Sequence, residues 1–132
     1  MTNEEKQLLL KDLSARLAYG VVYHRNDGAN IKLNAIDVER GLLNYTDDIE
    51  ERECKPYLRS MDDMTEEERK EYEGFIIHRD HVNAWGQEWD IDCFSFDNSP
   101  RLIDWLNAHH FDYRGLIEKG LAIEATEGMY LY

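Results

Sequence analysis

The densest grouping of reactive side chains lies between His109 and Arg114. His109-His110-Phe111-Asp112-Tyr113-Arg114 brings together two imidazoles, a carboxylate, a phenol and a guanidinium. Histidine beside a carboxylate is the minimum needed to move a proton. His109, His110, Asp112, Tyr113 and Arg114 are therefore a candidate ligand cluster for a small hydrolase or ligand-binding enzyme. Adjacent residues point apart on a helix, so the two histidines do not share one role, and spacing places no nucleophile beside them. No residue is assigned as catalytic. The competing reading is architectural: His109 and His110 end one helix, and Asp112 caps the next.

Two further groupings suggest metal. His78 and His81 are three apart, a helical spacing that turns two imidazoles the same way, but no His-Glu-x-x-His accompanies them. Asp90-Ile91-Asp92 begins like a calcium loop and fails at once, because Phe94 takes a ligand position and Ser95 the required glycine. There is no Gly-rich phosphate loop, Cys-x-x-Cys pair or Gly-x-Ser-x-Gly elbow. The expectation is a fold without metal or cofactor.

Charge is the stronger signal. Residues 61–98 hold twelve acids and three bases, so −9 of the chain's formal −13 sits in less than a third of its length. Such a field repels nucleic acid and anionic membrane and draws in a basic protein. The expected partner is thus a basic protein, with no direct contact to nucleic acid or membrane. Glu88 to Asp97 reads as a strand, with Trp89, Ile91 and Cys93 alternating against Glu88, Asp90 and Asp92. Those three carboxylates would then share one face, about 7 Å apart along the chain, an interval that imitates a phosphate backbone. Trp85 and Trp89, like Tyr57 and Arg59, are types enriched in binding hot spots. Glu88, Asp90, Asp92, Trp85 and Trp89 are the candidate partner-binding residues.

The elements that must position these groups follow from pattern and punctuation. The chain has 132 residues, 42% of them hydrophobic, with three tryptophans, eight tyrosines and four phenylalanines, enough for one packed domain. The opening Thr2-Asn3-Glu4-Glu5 lacks the basic and apolar regions of a secretory leader. Reduced thiols are expected at Cys54 and Cys93, consistent with a cytoplasmic setting. A helix is predicted from Asn3 to Leu17, ended by Gly20. A hairpin follows: Val21 to His24, an Asn26-Asp27-Gly28 turn, then Ile31 to Val38. Further strands are predicted at Leu42–Tyr45 and within Ile49–Leu58, the last held to an edge by Pro56. Thr65 and Glu68 form a capping box that opens a second helix, to about Ile77. In the predicted Glu88–Asp97 strand the alternation slips at Cys93-Phe94, read as a bulge. Ser99-Pro100 is predicted to start a third helix, to Ala108. A short fourth helix is predicted from Tyr113 to Lys119, capped by Asp112 and stopped by Gly120. The fold class expected is α+β: a small antiparallel sheet with three to four helices packed on one face.

Three segments, Leu8–Ala18-Tyr19-Gly20, Lys55–Thr65 and Asn107–Ala122, resemble a family of small proteins from gut anaerobes and their phages and mobile elements. Relatives often carry proline where this chain has Ala18 and Glu118. The family brings no activity with it. The resemblance implies a cytoplasmic accessory protein with a phage link. The function expected is therefore a non-enzymatic acidic interaction module of inhibitor, immunity or nucleic-acid-mimic type, with the hydrolase as the alternative.

Overall fold

The chain enters its first helix through a reciprocal pair of bonds. The Thr2 hydroxyl accepts from the Glu5 N–H at 3.1 Å, and the Glu5 carboxylate accepts from the Thr2 N–H at 2.8 Å. Two donors that a helix start leaves orphaned are so satisfied. Helix α1 (Asn3–Arg16) passes into a 3-10 turn over Leu17–Tyr19, which ends at Gly20 with φ +72°. The computed structural model describes residues 1–83 and 91–130, with side chains described for 1–75 and 100–130.

The chain is α+β. Strands β1 (Val22–His24) and β2 (Asn30–Lys32) form the predicted hairpin around Asn26-Asp27-Gly28. The run Ile31–Val38 is not one strand. After Lys32 the side chain of Asn44 intervenes: it accepts from the N–H groups of Asn34 and Ala35 and donates to the Lys32 carbonyl. The backbone then leaves for a second, three-stranded sheet of β3 (Ile36–Asp37), β4 (Leu42–Leu43) and β5 (Asp47–Asp48), all antiparallel. The two sheets are tied by Asp47, whose carboxylate accepts from the Tyr23 hydroxyl at 2.6 Å and from Arg25 at 3.1 Å.

Strand β6 (Lys55–Leu58) departs from expectation in a second way. The main sheet runs β2-β1-β6-β7, where β7 is Ile123–Glu124, so the proline strand lies inside. The β6–β7 pair is parallel, and the sheet is mixed rather than purely antiparallel. Proline is tolerated because of which way its nitrogen points. The Leu58 carbonyl accepts from the Ala125 N–H on the β7 side, and a two-residue alternation aims the Pro56 nitrogen the same way. The β6–β7 ladder begins only at Tyr57, so no rung asks Pro56 for a donor.

Two long helices follow. The Thr65–Glu68 capping box opens α2 (Glu66–Asn83) as predicted, with Thr65 N–H to Glu68 at 2.9 Å and Glu68 N–H to the Thr65 hydroxyl at 3.1 Å. Helix α3 spans Ile91–Ala108 and encloses Pro100. This overturns the predicted strand from Ile91 onward and the predicted helix start at Ser99. The slip at Cys93-Phe94 is what a 3.6-residue period produces when forced onto a period of two. Three α-helices are thus formed among the described residues.

Beyond α3, the predicted helix Tyr113–Lys119 is replaced by turns. Asp112 does cap, but it caps a turn: its carboxylate accepts from the N–H groups of Leu116 (2.9 Å) and Ile117 (3.0 Å). The segment closes as a Schellman motif, with Leu121 N–H on the Leu116 carbonyl and Gly120 N–H on the Ile117 carbonyl. Leu116 and Leu121 thereby join a core made of Leu9, Leu10 and Leu13 from α1, Val21, Tyr23 and Leu58 from the main sheet, and Leu43 and Ile49.

Gly120 adopts φ +75°, and a β-carbon there would meet nothing within 4 Å. The cost of a side chain is therefore the left-handed backbone alone. Gly120→Ala is expected to lower unfolding free energy by about 1 kcal/mol, measured as a shift in the urea midpoint at unchanged slope.

Candidate functional site

Strand β6 continues past Leu58 into a single parallel bridge between Arg59 and Phe111. The Arg59 N–H donates to the His110 carbonyl at 2.7 Å, and the Asp112 N–H donates to the Arg59 carbonyl at 2.8 Å. The His109–Arg114 segment is thus carried against the end of the main sheet, and two buried guanidiniums meet it there.

Arg59 is 3% exposed. It holds the Glu68 carboxylate with two bonds of 2.7 Å, donates to the carbonyls of His109 and Asp63, and lies 4.2 Å from the Phe111 ring centroid. Burial alone would raise the Glu68 carboxyl. The Arg59 bonds and the Thr65 N–H outweigh it and hold that group at about 2. Arg16, fully buried, pairs with Asp12 on its own helix at 2.8 Å and donates to the Phe111 carbonyl at 2.6 Å. Asp12 also accepts from Arg114 at 3.1 Å, and both arginines lie within cation–π reach of the Tyr113 ring.

The cluster expected from sequence is therefore assembled, and its groups are bound into the fold. Asp112 caps its turn, Arg114 pairs with Asp12, and the Tyr113 hydroxyl donates to Asn107 at 2.8 Å. His109 sits within 2.8 Å of the Trp105 carbonyl through Nδ1, and its ring packs 4.4 Å from the Trp105 ring centroid. His110 is buried, with φ +62°, and stacks on Tyr130 at 3.7 Å. Its Nδ1 and Arg16 Nη1 are the buried side-chain atoms without a hydrogen-bond partner among the described residues. Burial first, then the charges of Arg16, Arg59 and His109, press the His110 imidazole down to about 4.

His109 faces a hollow rich in charge. A cavity of ≈ 500 Å³ at the start of α2 is lined by Thr65, Glu66, Glu67, Glu68, Glu71 and His109. Glu66, Glu67 and Glu71 are exposed. Glu71 also accepts from the Trp105 indole N–H at 2.7 Å, which fixes one carboxylate at the rim. His109 Nε2 stands 4.0 Å from Glu68. A larger hollow of ≈ 670 Å³ is lined by other residues, among them His24, Cys54, Lys55 and Lys119. Cys54 is a free thiol there, and burial first, with the nearby Asp47 charge, pushes it up to about 12, so it is no nucleophile at neutral pH.

Of the candidate partner-binding residues, Trp85, Glu88, Trp89 and Asp90 lie outside the described residues. Asp92 belongs to α3, so a strand face does not carry it. The side chains of His78 and His81 also lie outside the described set, and no cluster that could hold a metal ion occurs among the described residues. No described helix is long and apolar enough to cross a membrane. Asp12 and Arg16 escaped the sequence reading although a signal exists. They are four apart and fall three residues after Leu9 and Leu13, on the face those leucines bury. No family model, curated protein or solved structure matches the chain.

His110 gives a pH test. An exposed histidine protonates near 6.5, whereas the folded chain delays this to about 4. Between those values the unfolded chain takes a proton that the fold refuses. Stability is therefore full above pH 6.5, falls as pH drops toward 4, and loses about 3 kcal/mol in all. Asparagine tolerates the left-handed backbone, so His110→Asn should fold and lose most of this slope. Urea titrations of both chains at pH 7, 5.5 and 4 check it.

Proposed function

We propose that the chain is a non-enzymatic interaction module that docks a basic protein through the carboxylates at the start of α2. One observation carries the reading. Glu66, Glu67 and Glu71 surround a hollow large enough for a lysine or arginine side chain, with Glu68 and His109 at its wall. The setting suits a cation. Glu66 and Glu67 lie in the first turn of α2, where the positive end of the helix dipole favours negative charge. The aromatic neighbours of His109, Trp105 and Phe111, stiffen the wall. Charge on such a rim speeds encounter and selects partners by sign more than it adds affinity.

The hydrolase reading asks for free acid–base groups in the His109–Arg114 cluster. Asp112, Tyr113 and Arg114 are instead engaged with Leu116, Asn107 and Asp12, which supports the interaction reading. Membership among phage-linked inhibitors, immunity proteins or nucleic-acid mimics rests on the resemblance of the three segments and on the net charge of −13.

The test is a triple variant, Glu66→Gln, Glu67→Gln and Glu71→Gln. Glutamine keeps side-chain length and an acceptor for Trp105. Immobilised wild-type chain is expected to retain basic proteins from a cell extract at low salt and release them at moderate salt. The triple variant should bind the same purified partner about tenfold more weakly, with a flatter salt dependence. Equal affinity and equal salt dependence for the two chains defeats the proposal. The free protein gives a second readout. Salt screens repulsion among its acids, so wild-type melting temperature should rise from low to moderate salt, and less so in the variant.

A further inference from the structure

The register of the main sheet leaves half of one rung to a side chain. β1 and β6 pair Tyr23 with Pro56 and His24 with Lys55. Continued by one residue, that register sets Val22 opposite Tyr57, where an antiparallel pair would exchange a hydrogen bond. The Tyr130 hydroxyl occupies that place. It accepts from the Val22 N–H at 2.9 Å and donates to the Tyr57 carbonyl at 2.7 Å. A side chain seventy-three residues further on than Tyr57 stands in for a backbone rung.

The segment that delivers Tyr130 is lightly held. The Ala125 N–H donates to the Leu58 carbonyl at 2.7 Å, and the Met129 N–H closes a turn back to Thr126. Thr126, Glu127 and Gly128 between them are exposed. Tyr130 itself is 8% exposed, yet it is not part of the apolar cluster that forms the main core. Its ring lies on His110 instead. Beneath the segment is a cavity of ≈ 510 Å³, with Arg59, Asp63 and Thr65 on one side and residues of the segment itself on the other.

We propose that Ala125–Tyr130 is a releasable strap, which opens that cavity when the Tyr130 hydroxyl leaves the sheet and the direct Val22–Tyr57 rung closes behind it. The exchange conserves hydrogen bonds at the Val22–Tyr57 rung, while the Leu58 carbonyl gives up the Ala125 N–H. Val22 N–H and Tyr57 C=O lose one hydroxyl and gain each other, so the open form strands no backbone group there. The apolar core keeps its members in both forms. Opening therefore costs less than unfolding, the condition for a local transition.

Native-state hydrogen exchange on the whole chain tests this. In the open form the Ala125 amide is bare, while the Val22 amide is covered by Tyr57. Ala125 is expected to exchange at least about tenfold faster than Leu13 and Leu33, which report the core, whereas Val22 shares the core's protection. Tyr130→Phe keeps the ring and removes the hydroxyl. It should speed Ala125 exchange a further several-fold and leave Val22, Leu13 and Leu33 where they were. If Ala125 is as protected as Leu13 in the wild-type chain, the strap opens only with the whole fold and the proposal fails. If Val22 exchanges as fast as Ala125, the rung does not close and the proposal also fails. The wild-type measurement decides both points by itself, whatever Tyr130→Phe does to stability.

Discussion

Everything around the second half of the chain depends on Phe111 being held between two buried arginines. Arg16 takes its carbonyl from α1, and Arg59 lies over its ring from the end of β6. One peptide unit thus joins the first helix, the main sheet and the segment after α3, across 95 residues in one case. Neither guanidinium can be buried unpaired, because an isolated charge in the interior is prohibitively costly. Asp12 answers Arg16, and Glu68 answers Arg59. Glu68 can do so only because the Thr65 capping box has already fixed the first turn of α2. The helix start, the ion pair and the Phe111 contact therefore support one another.

That arrangement also decides where the charge goes. The buried acids among the described residues are matched: Asp12 by two arginines, Glu68 by Arg59, Asp47 by Arg25, and Asp112 by two backbone N–H groups. The exposed carboxylates among the described residues, Glu66, Glu67 and Glu71 with them, are left to water. The carboxylates at the start of α2 stand in water beside a buried member of their own run, Glu68. A single four-residue stretch, Thr65 to Glu68, serves both the interior and the acidic surface. Helical geometry explains the division, since neighbours along the chain point about 100° apart.

Local chemistry was legible wherever a short stretch is its own partner. The Thr65–Glu68 box, the hairpin at Asn26-Asp27-Gly28 and the left-handed Gly120 each arise from residues within ten of one another. Misreadings came where two local options compete. Ile91 to Asp97 fits an alternating strand with one slip, and it also fits a helix. Proline lacks a donor, which by local chemistry points Pro56 to an edge. Only the placement of Ala125 and Ile123 shows that no donor is wanted on that side.

By itself, the sequence determined that this is an acidic α+β chain, where the Thr65 cap and the Asn26-Asp27-Gly28 turn fall, and which six-residue stretch concentrates acid–base groups. Those features depend on composition and on contacts along a few residues of chain. Tertiary structure alone decided what the six residues touch. Whether Asp112, Tyr113 and Arg114 face a substrate or the fold depends on Leu116, Asn107 and Asp12 arriving beside them. Asp12 comes from α1, a hundred residues away, and no local pattern encodes that meeting. It follows from how a helix and a sheet bury their apolar faces together, which fixes which charges must share the interior and which are left to water.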